Sequence, residues 1–189
     1  MSNKRKLIIA AAVIFAAAAV CLLIILKTNG YFLPGWISWQ ERDFIWTTGK
    51  AEEGFPAKAV LKNRRVRVLD TKGNILWESE RTVKVQDILA ADIDRDGQDE
   101  LLLLCWKKGR YGTSRPFWVT EDEKNWSQHI FIYEWKETRV GASWMASDIG
   151  MDAASWSFDP ETRLSITETD GRVTRWDWFS FGLEYIGEF

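Results

Sequence analysis

The segment Leu7–Leu26 is an uninterrupted apolar run of twenty residues, and it constrains the chain more than any other feature. Its sequence, LIIAAAVIFAAAAVCLLIIL, contains no charged side chain, and Cys21 is its only weakly polar one. A helix rises about 1.5 Å per residue, so this run is long enough to cross the roughly 30 Å hydrocarbon core of a bilayer. Because a helix satisfies all its backbone amides internally, it is stable in lipid. The run therefore predicts one transmembrane helix over residues 7–26.

Charges at the two ends of this run predict its orientation. Lys4, Arg5 and Lys6 precede it, and only Lys27 follows closely. By the positive-inside rule, residues 1–6 form a cytoplasmic tail and the domain beyond residue 27 is extracytoplasmic, as in a single-pass protein of the cell membrane. A cleaved signal peptide, a lipoprotein modified at Cys21 and a buried core helix are the alternatives. The apolar residues after Cys21 favour an uncleaved signal-anchor over the first two. A buried core helix is disfavoured because it would normally carry a polar face.

Residues 27–54 form a juxtamembrane segment that is rich in aromatic side chains. The run Tyr31–Trp39 is typical of an aromatic belt at the lipid headgroups. Pro34 predicts the start of a short surface helix that runs towards Trp46. Packing of these aromatic side chains on the following domain is the alternative.

Charge and cysteine content limit what the exported domain can be. The four basic residues before position 28 leave 21 of the 25 basic residues against all 27 acidic ones beyond it. A mildly acidic domain without clustered Lys and Arg is not a nucleic-acid-binding domain. Cys21 lies in the predicted membrane helix, so Cys105 has no intradomain partner. The domain is therefore stabilised by its core or by a metal rather than by a disulfide.

Residues 55–189 consist of short strand-like segments that are separated by turn residues, which predicts an all-β domain. Leu101–Trp106 is a continuous apolar run, as expected of a strand buried on both faces. Residues 107–128 are charged and interrupted by Gly and Pro, which predicts an inserted surface loop with a short strand at Phe117–Val119.

A weak internal repeat suggests the arrangement of these strands. Leu89–Asp96 has an echo in Met145–Asp152, 56 residues later, and a strand-like segment follows each copy. Repeats of this length are typical of propeller blades. The fold prediction is a partial or small β-propeller-like domain of about three four-stranded blades. Since about 4–8 blades close a ring, we expect an open sheet stack, or self-association that completes it.

One loop carries a metal-binding pattern. Gly97 allows a sharp turn because it tolerates a positive φ, and alternate acidic residues around such a turn converge on one point. The predicted calcium ligands are the carboxylates at loop positions 1, 3, 5 and 9 and the backbone carbonyl at position 7: Asp92, Asp94, Asp96, Glu100 and Gln98. An EF-hand is excluded because its position 12 is Leu103 and the flanking segments are strand-like.

The pattern D-x-D-x-D-G-x-x-[DE] between two strands resembles the FG-GAP or VCBS-type repeat, which is also found in integrin α-subunit propellers. The resemblance covers about residues 83–106. It implies a calcium ion with a structural role, ligated by Asp92, Asp94, Asp96 and Glu100. Glu100 stands where aspartate is commoner in the family, and its longer side chain still reaches the ion. In the second copy Gly150 replaces an acidic position, so no metal is expected there.

Other residues provide weaker functional hypotheses. Trp118 and Trp126 are candidate ligand contacts because both fall in the predicted loop. His129 is the only histidine, so a His-based triad or multi-histidine site has no partner, and we expect a strand-edge residue. The leading hypothesis is a membrane-anchored extracytoplasmic module that binds a protein or a glycan. A cell-envelope hydrolase, or an accessory subunit of a cell-envelope enzyme, is the alternative, and a lipid-surface structural protein is the third.

Overall fold

The computed structural model describes residues 3–37, 39–48, 55–111, 115–146, 148–161, 163–180 and 182–188. Parts of the predicted tail, juxtamembrane segment and inserted loop (residues 1–2, 49–54 and 112–114) lie outside the described residues. The chain divides into two units, one ending at Gly35 and one beginning at Trp36. The sequence predicts that the β domain begins at residue 55. The β unit begins at Trp36 instead, so it includes part of the predicted juxtamembrane segment.

The first unit contains a single helix, α1, over Asn3–Thr28. It is long and apolar enough to cross a membrane, and none of its residues is buried within the protein. The helix ends at Thr28, and the backbone N–H and side-chain amide of the next residue, Asn29, both donate to the Ile25 carbonyl. Gly30 follows with φ +76°, a left-handed conformation that commonly terminates helices. The predicted apolar N-terminal helix is confirmed.

The second unit consists of twelve described strands in three antiparallel sheets of four. In each sheet the strands pair in chain order as a meander. The first sheet contains β1 (Arg42–Thr48), β2 (Phe55–Lys62), β3 (Arg65–Leu69) and β4 (Ile75–Glu78). The middle sheet contains β5 (Lys84–Ala91), β6 (Glu100–Lys108), β7 (Trp126–Lys136) and β8 (Arg139–Met145). The third sheet contains β9 (Ala153–Asp159), β10 (Arg163–Glu168), β11 (Val173–Phe179) and β12 (Gly182–Glu188).

The middle sheet is buried on both faces. Leu101, Leu103 and Cys105 of β6 pack into a core shared with the first sheet. Leu102 and Leu104 point the other way, into a core shared with the third sheet. All five side chains have no exposed surface. The burial predicted from the continuous apolar run is confirmed, and the unit is a stack of three sheets.

The first and third sheets expose both polar and apolar side chains, and Ile45 and Phe179 are 78 % and 65 % exposed. On the first sheet, exposed Lys58 pairs with Asp43 at 2.8 Å, and Arg67 pairs with Glu78 at 3.0 Å. On the third sheet, the exposed residues of β9 include Ser157 and Asp159. The described strands form no closed ring or barrel.

Two local predictions are wrong. Trp46 lies in strand β1 rather than in a surface helix, and its side chain has no exposed surface because it packs in the core below the first sheet. Phe117–Val119 forms no strand. Instead the Val119 N–H donates to the Pro116 carbonyl at 2.9 Å, which closes a tight turn.

The two copies of the internal repeat occupy different places in the fold. The first copy leads from β5 into β6, within the middle sheet, whereas the second leads from β8 into β9, between two sheets. The sequence echo therefore does not mark equivalent positions of successive sheets. Alternating small and acidic residues at strand ends are sufficient to produce it.

Candidate metal site

The predicted metal loop connects β5 to β6, the first hairpin of the middle sheet. Arg95 and Gly97 both have positive φ, +66° and +91°, and these values reverse the chain within the loop. Glu100 is the first residue of β6 and is 1 % exposed. The strand therefore holds one carboxylate rigidly below a short loop that carries the others.

Three of the predicted ligands come together. Carboxylate oxygens of Asp92, Asp94 and Glu100 all lie within 4.8 Å of one another. Ca²⁺ binds oxygen ligands at roughly 2.3–2.6 Å, so two oxygens on opposite sides of one ion are about 5 Å apart. The separation in the loop is therefore compatible with a shared calcium ion.

Backbone hydrogen bonds orient each of these carboxylates. The Gly97 N–H donates to Asp92 Oδ2 at 3.1 Å, and the Ile93 N–H donates to Glu100 Oε2 at 2.9 Å. Asp94 Oδ1 accepts from the Asp96 N–H at 3.1 Å. The remaining oxygens of two of the three, Asp92 Oδ1 and Glu100 Oε1, are buried and have no hydrogen-bond partner among the described residues. Such buried acceptors are unfavourable unless a cation or a donor satisfies them.

The cluster has an unusual charge balance. Burial raises the pKa of Glu100 to about 8, and the nearby negative charges of Asp94, Asp96 and Asp92 add to the effect. Burial and the charges of Asp96 and Asp92 also raise the pKa of Asp94. Without a cation, Glu100 is therefore protonated at neutral pH. A divalent ion would stabilise the ionised form, because metal ligands have to be deprotonated.

The other two predicted ligands are placed differently. Asp96 is exposed, and its two oxygens accept hydrogen bonds from the backbone N–H and the side-chain amide of Gln98, at 2.8 and 3.1 Å. Asp96 is therefore not part of the close cluster. The roles of Asp96 and of the Gln98 carbonyl as ligands stay predictions.

Contacts from two other sheets hold the loop. The indole N–H of Trp46, in the first sheet, donates to the Asp99 carbonyl. Arg95 forms an ion pair with Asp177 on β11, and Arg163 pairs with the same carboxylate at 3.1 Å. The loop thus contacts all three sheets. Sequence reasoning missed these contacts because 53 and 82 residues separate the partners and no local pattern joins them.

We predict that Gly97→Ala destabilises the protein by about 1–2 kcal/mol, because a Cβ is disfavoured at a left-handed φ. A Cβ at Gly97 would meet no atom within 4 Å, so the cost is conformational rather than steric. Gly73→Ala is the matched comparison within the same unit, since Gly73 has φ +85° and a Cβ there also meets no atom within 4 Å, and we expect a similar cost. Urea unfolding of both variants in chelator measures the cost. A cost below about 0.5 kcal/mol for Gly97→Ala would contradict the backbone explanation.

The two tryptophans predicted to contact a ligand lie in different environments. Trp118 is 70 % exposed in the loop between β6 and β7, edge-on against the exposed ring of Phe117. Trp126 is half-buried on β7 instead of in the loop, with Lys108 Nζ 5.5 Å from its ring centroid. The predicted loop ends at residue 128, but β7 begins at Trp126, so this tryptophan lies on the strand.

His129 is not a strand-edge residue as predicted. It lies within β7 and has no exposed surface. Its Nδ1 is 3.0 Å from the Ala146 carbonyl and its Nε2 is 3.0 Å from Ser127 Oγ. Nδ1 therefore donates and Nε2 accepts, as in a neutral imidazole. Burial is the main cause that lowers the pKa of His129.

This lowered pKa predicts a loss of stability in acid. The unfolded chain takes up a proton near pH 6.5, whereas the folded protein resists it, so the free energy of unfolding falls as the pH drops below about 6.5. We expect His129→Gln to reduce this dependence. Urea unfolding at pH 7.5 and 5.5, in saturating calcium, measures it for both proteins. An identical pH dependence in the variant would show that His129 contributes nothing.

Comparison of the chain with protein-family models, with curated proteins and with solved structures finds no match. The functional argument therefore depends on the geometry of the site itself.

Proposed function

We propose that this chain is a membrane-anchored, extracytoplasmic binding module whose β unit is stabilised by one calcium ion in the Asp92–Glu100 loop. One observation supports the proposal most strongly. A fully buried carboxylate, Glu100, has an oxygen without a partner and lies within 4.8 Å of two further acidic residues. On this proposal the three sheets are four-stranded repeats of the FG-GAP or VCBS type.

The ion would act as a clamp rather than as a catalyst. Asp92, Asp94 and Glu100 would supply ligands from both sides of the hairpin, and Ca²⁺ would satisfy the two buried oxygens. Asp96, the Gln98 carbonyl and water would complete a coordination number of 6–8. Because Trp46 and Arg95 connect the loop to the outer sheets, its stabilisation would extend to the whole stack.

Helix α1 supports the anchoring part of the proposal. By the positive-inside rule, the basic residues before the helix favour a cytoplasmic N-terminus and a β unit outside the cytoplasm. Calcium is plentiful outside the cytoplasm, so the loop would stay filled there by mass action.

The orientation is tested by labelling Thr71→Cys in intact cells with a membrane-impermeant maleimide. Thr71 is exposed in the turn between β3 and β4. The native thiols provide a low background, because Cys105 is fully buried and burial raises its pKa, and Cys21 lies within α1. We expect the variant to be labelled in intact cells and the wild type not. Labelling only after lysis would contradict the proposed orientation.

A further inference from the structure

A polar cleft lies between the middle and third sheets and shares no residue with the metal cluster. Its volume is about 360 Å³, within the ~300–1,000 Å³ range of small-molecule sites. The residues that matter for binding come from β7, from the β8–β9 connection and from the β10–β11 hairpin: Trp126, Gln128, Asp148, Asp152, Glu168 and Arg172.

A buried hydrogen-bond network holds one side of the cleft. Gln128 is 2 % exposed, and its side-chain amide bonds to both the N–H and the carbonyl of Ala153, at 2.7 and 2.9 Å. Its Nε2 also donates to Gln86 Oε1 at 2.9 Å, which in turn accepts the indole N–H of Trp106 at 2.8 Å. Two paired glutamines among apolar side chains restrict each other's conformations. The network therefore fixes this side of the cleft before any ligand arrives.

The loops around the cleft are also held by backbone hydrogen bonds. The Ile149 N–H donates to the Gln128 carbonyl at 3.2 Å, which attaches the β8–β9 connection to β7. The Thr169 N–H donates to the Asp152 carbonyl at 2.9 Å, which attaches the β10–β11 hairpin to the same connection. Asp148 and Asp152 are therefore presented from a connection that is tied at both ends.

The charges of the cleft distinguish between classes of ligand. Its carboxylates are hydrogen-bond acceptors and outnumber its one guanidinium, Arg172. Arg172 pairs with Glu168 at 2.9 Å, with Asp170 at 2.8 Å and with Glu188 at 3.5 Å, so only the second N–H of each terminal nitrogen is left for a ligand. Asp148 lies 3.9 Å from Arg110 Nε, so the charge that would repel a phosphate or an acidic sugar is mainly that of Asp152, which forms no ion pair among the described contacts. A simple cation accepts no hydrogen bonds, so it would leave the N–H donors of Arg172 unused. Hydroxyl groups both donate and accept, so a polyhydroxylated neutral ligand matches this mixture.

We propose that this cleft binds one neutral pyranose unit of a glycan. The sugar hydroxyls donate to Asp148 and Asp152 and accept from Arg172, while the apolar face of the ring packs on Trp126. The inference rests on the proposed function as a binding module and names the ligand class of that module. It does not depend on the calcium ion, since the two sites share no side chain.

The test uses the full-length chain in phosphatidylcholine nanodiscs, which contain no sugar headgroups or glycosidic detergent. The probe is an array of immobilised neutral, amino and acidic oligosaccharides. We expect binding to at least one neutral oligosaccharide and none to the acidic ones. Binding only to acidic or amino sugars, or to none, would overturn the proposal.

Variants then locate the bound sugar. Asp152→Asn removes an exposed carboxylate whose side chain has no structural hydrogen bond among the described contacts, and we expect about 10- to 100-fold weaker binding. We expect Trp126→Ala to weaken binding as well. Asp43→Asn, on the outer face of the first sheet, is the control and should bind as the wild type does. Loss of binding in Trp118→Ala but not in Asp152→Asn would place the ligand on the β6–β7 loop and overturn the proposal.

The same samples separate this inference from the calcium proposal. Asp152→Asn should retain the thermal stabilisation by calcium, because Asp152 is not part of the metal cluster. Wild-type protein that is stabilised by calcium but binds no neutral sugar would refute only the cleft. Sugar binding without any stabilisation by calcium would refute only the metal site.

Discussion

We expect saturating calcium to raise the thermal midpoint of the wild-type protein by about 5–10 °C and Asp94→Asn to abolish this rise. A ligand that binds only the folded state at 100 times its Kd stabilises by about 2.7 kcal/mol. For a domain of this size each kcal/mol shifts the midpoint by about 2–4 °C. Differential scanning calorimetry with calcium and with chelator measures the effect. Asparagine keeps the oxygen that accepts the Asp96 N–H and removes only the charge.

The difference in stability between Asp94→Asn and the wild type in chelator provides the control. Without calcium, Asp94→Asn should be at least as stable as the wild type, since burial and the charges of Asp96 and Asp92 raise the pKa of Asp94 and make its charge unfavourable. With calcium, the wild type should be more stable than Asp94→Asn. If Asp94 had only a structural role, the same one of the two proteins would be the more stable both in calcium and in chelator. An unchanged wild-type midpoint, or a calcium shift that persists in the variant, would contradict the metal site.

Leu103→Ala and Leu102→Ala should each destabilise the protein by about 2–5 kcal/mol, the cost of truncating a fully buried leucine. The two side chains are neighbours on β6 but pack into opposite cores. In a two-layer sandwich one of them would face solvent, and its substitution would be nearly silent. Only a sheet buried on both faces makes both costly.

Urea unfolding compares these two variants with Ile45→Ala, whose side chain is 78 % exposed on the first sheet. We expect the control to change the free energy of unfolding by no more than about 0.5 kcal/mol. A cost below about 1 kcal/mol for either leucine would contradict the three-layer stack.

Local sequence patterns predicted most of the strands because they depend on neighbouring residues. The apolar run 101–106 indicated burial on both faces, and β6 packs into a core on each side. Strand β1 was missed because its residues follow an aromatic run that also suits a membrane interface. Nothing local indicates that Trp46 is buried, because its core neighbours come from the first and middle sheets.

The metal cluster could be predicted because its three residues lie within nine positions of one another. The tight turn at Gly97 brings Asp92 and Asp94 back over Glu100. The cleft could not be predicted from the sequence, because its binding residues come from separate strands and loops between Trp126 and Arg172. Trp126 was selected for its place in a supposed loop, whereas the structure places it on a strand that lines the cleft.

The number of calcium ions bound per chain tests the metal site most directly. Equilibrium dialysis with radioactive calcium, on the full-length protein in nanodiscs at pH 8.5, above the pKa of about 8 of Glu100, should give one ion per chain. Glu100→Gln should give none, since it removes the charge of the buried carboxylate that has an unpartnered oxygen. No bound calcium in the wild type, or one ion retained by Glu100→Gln, would contradict the assignment of calcium to this loop.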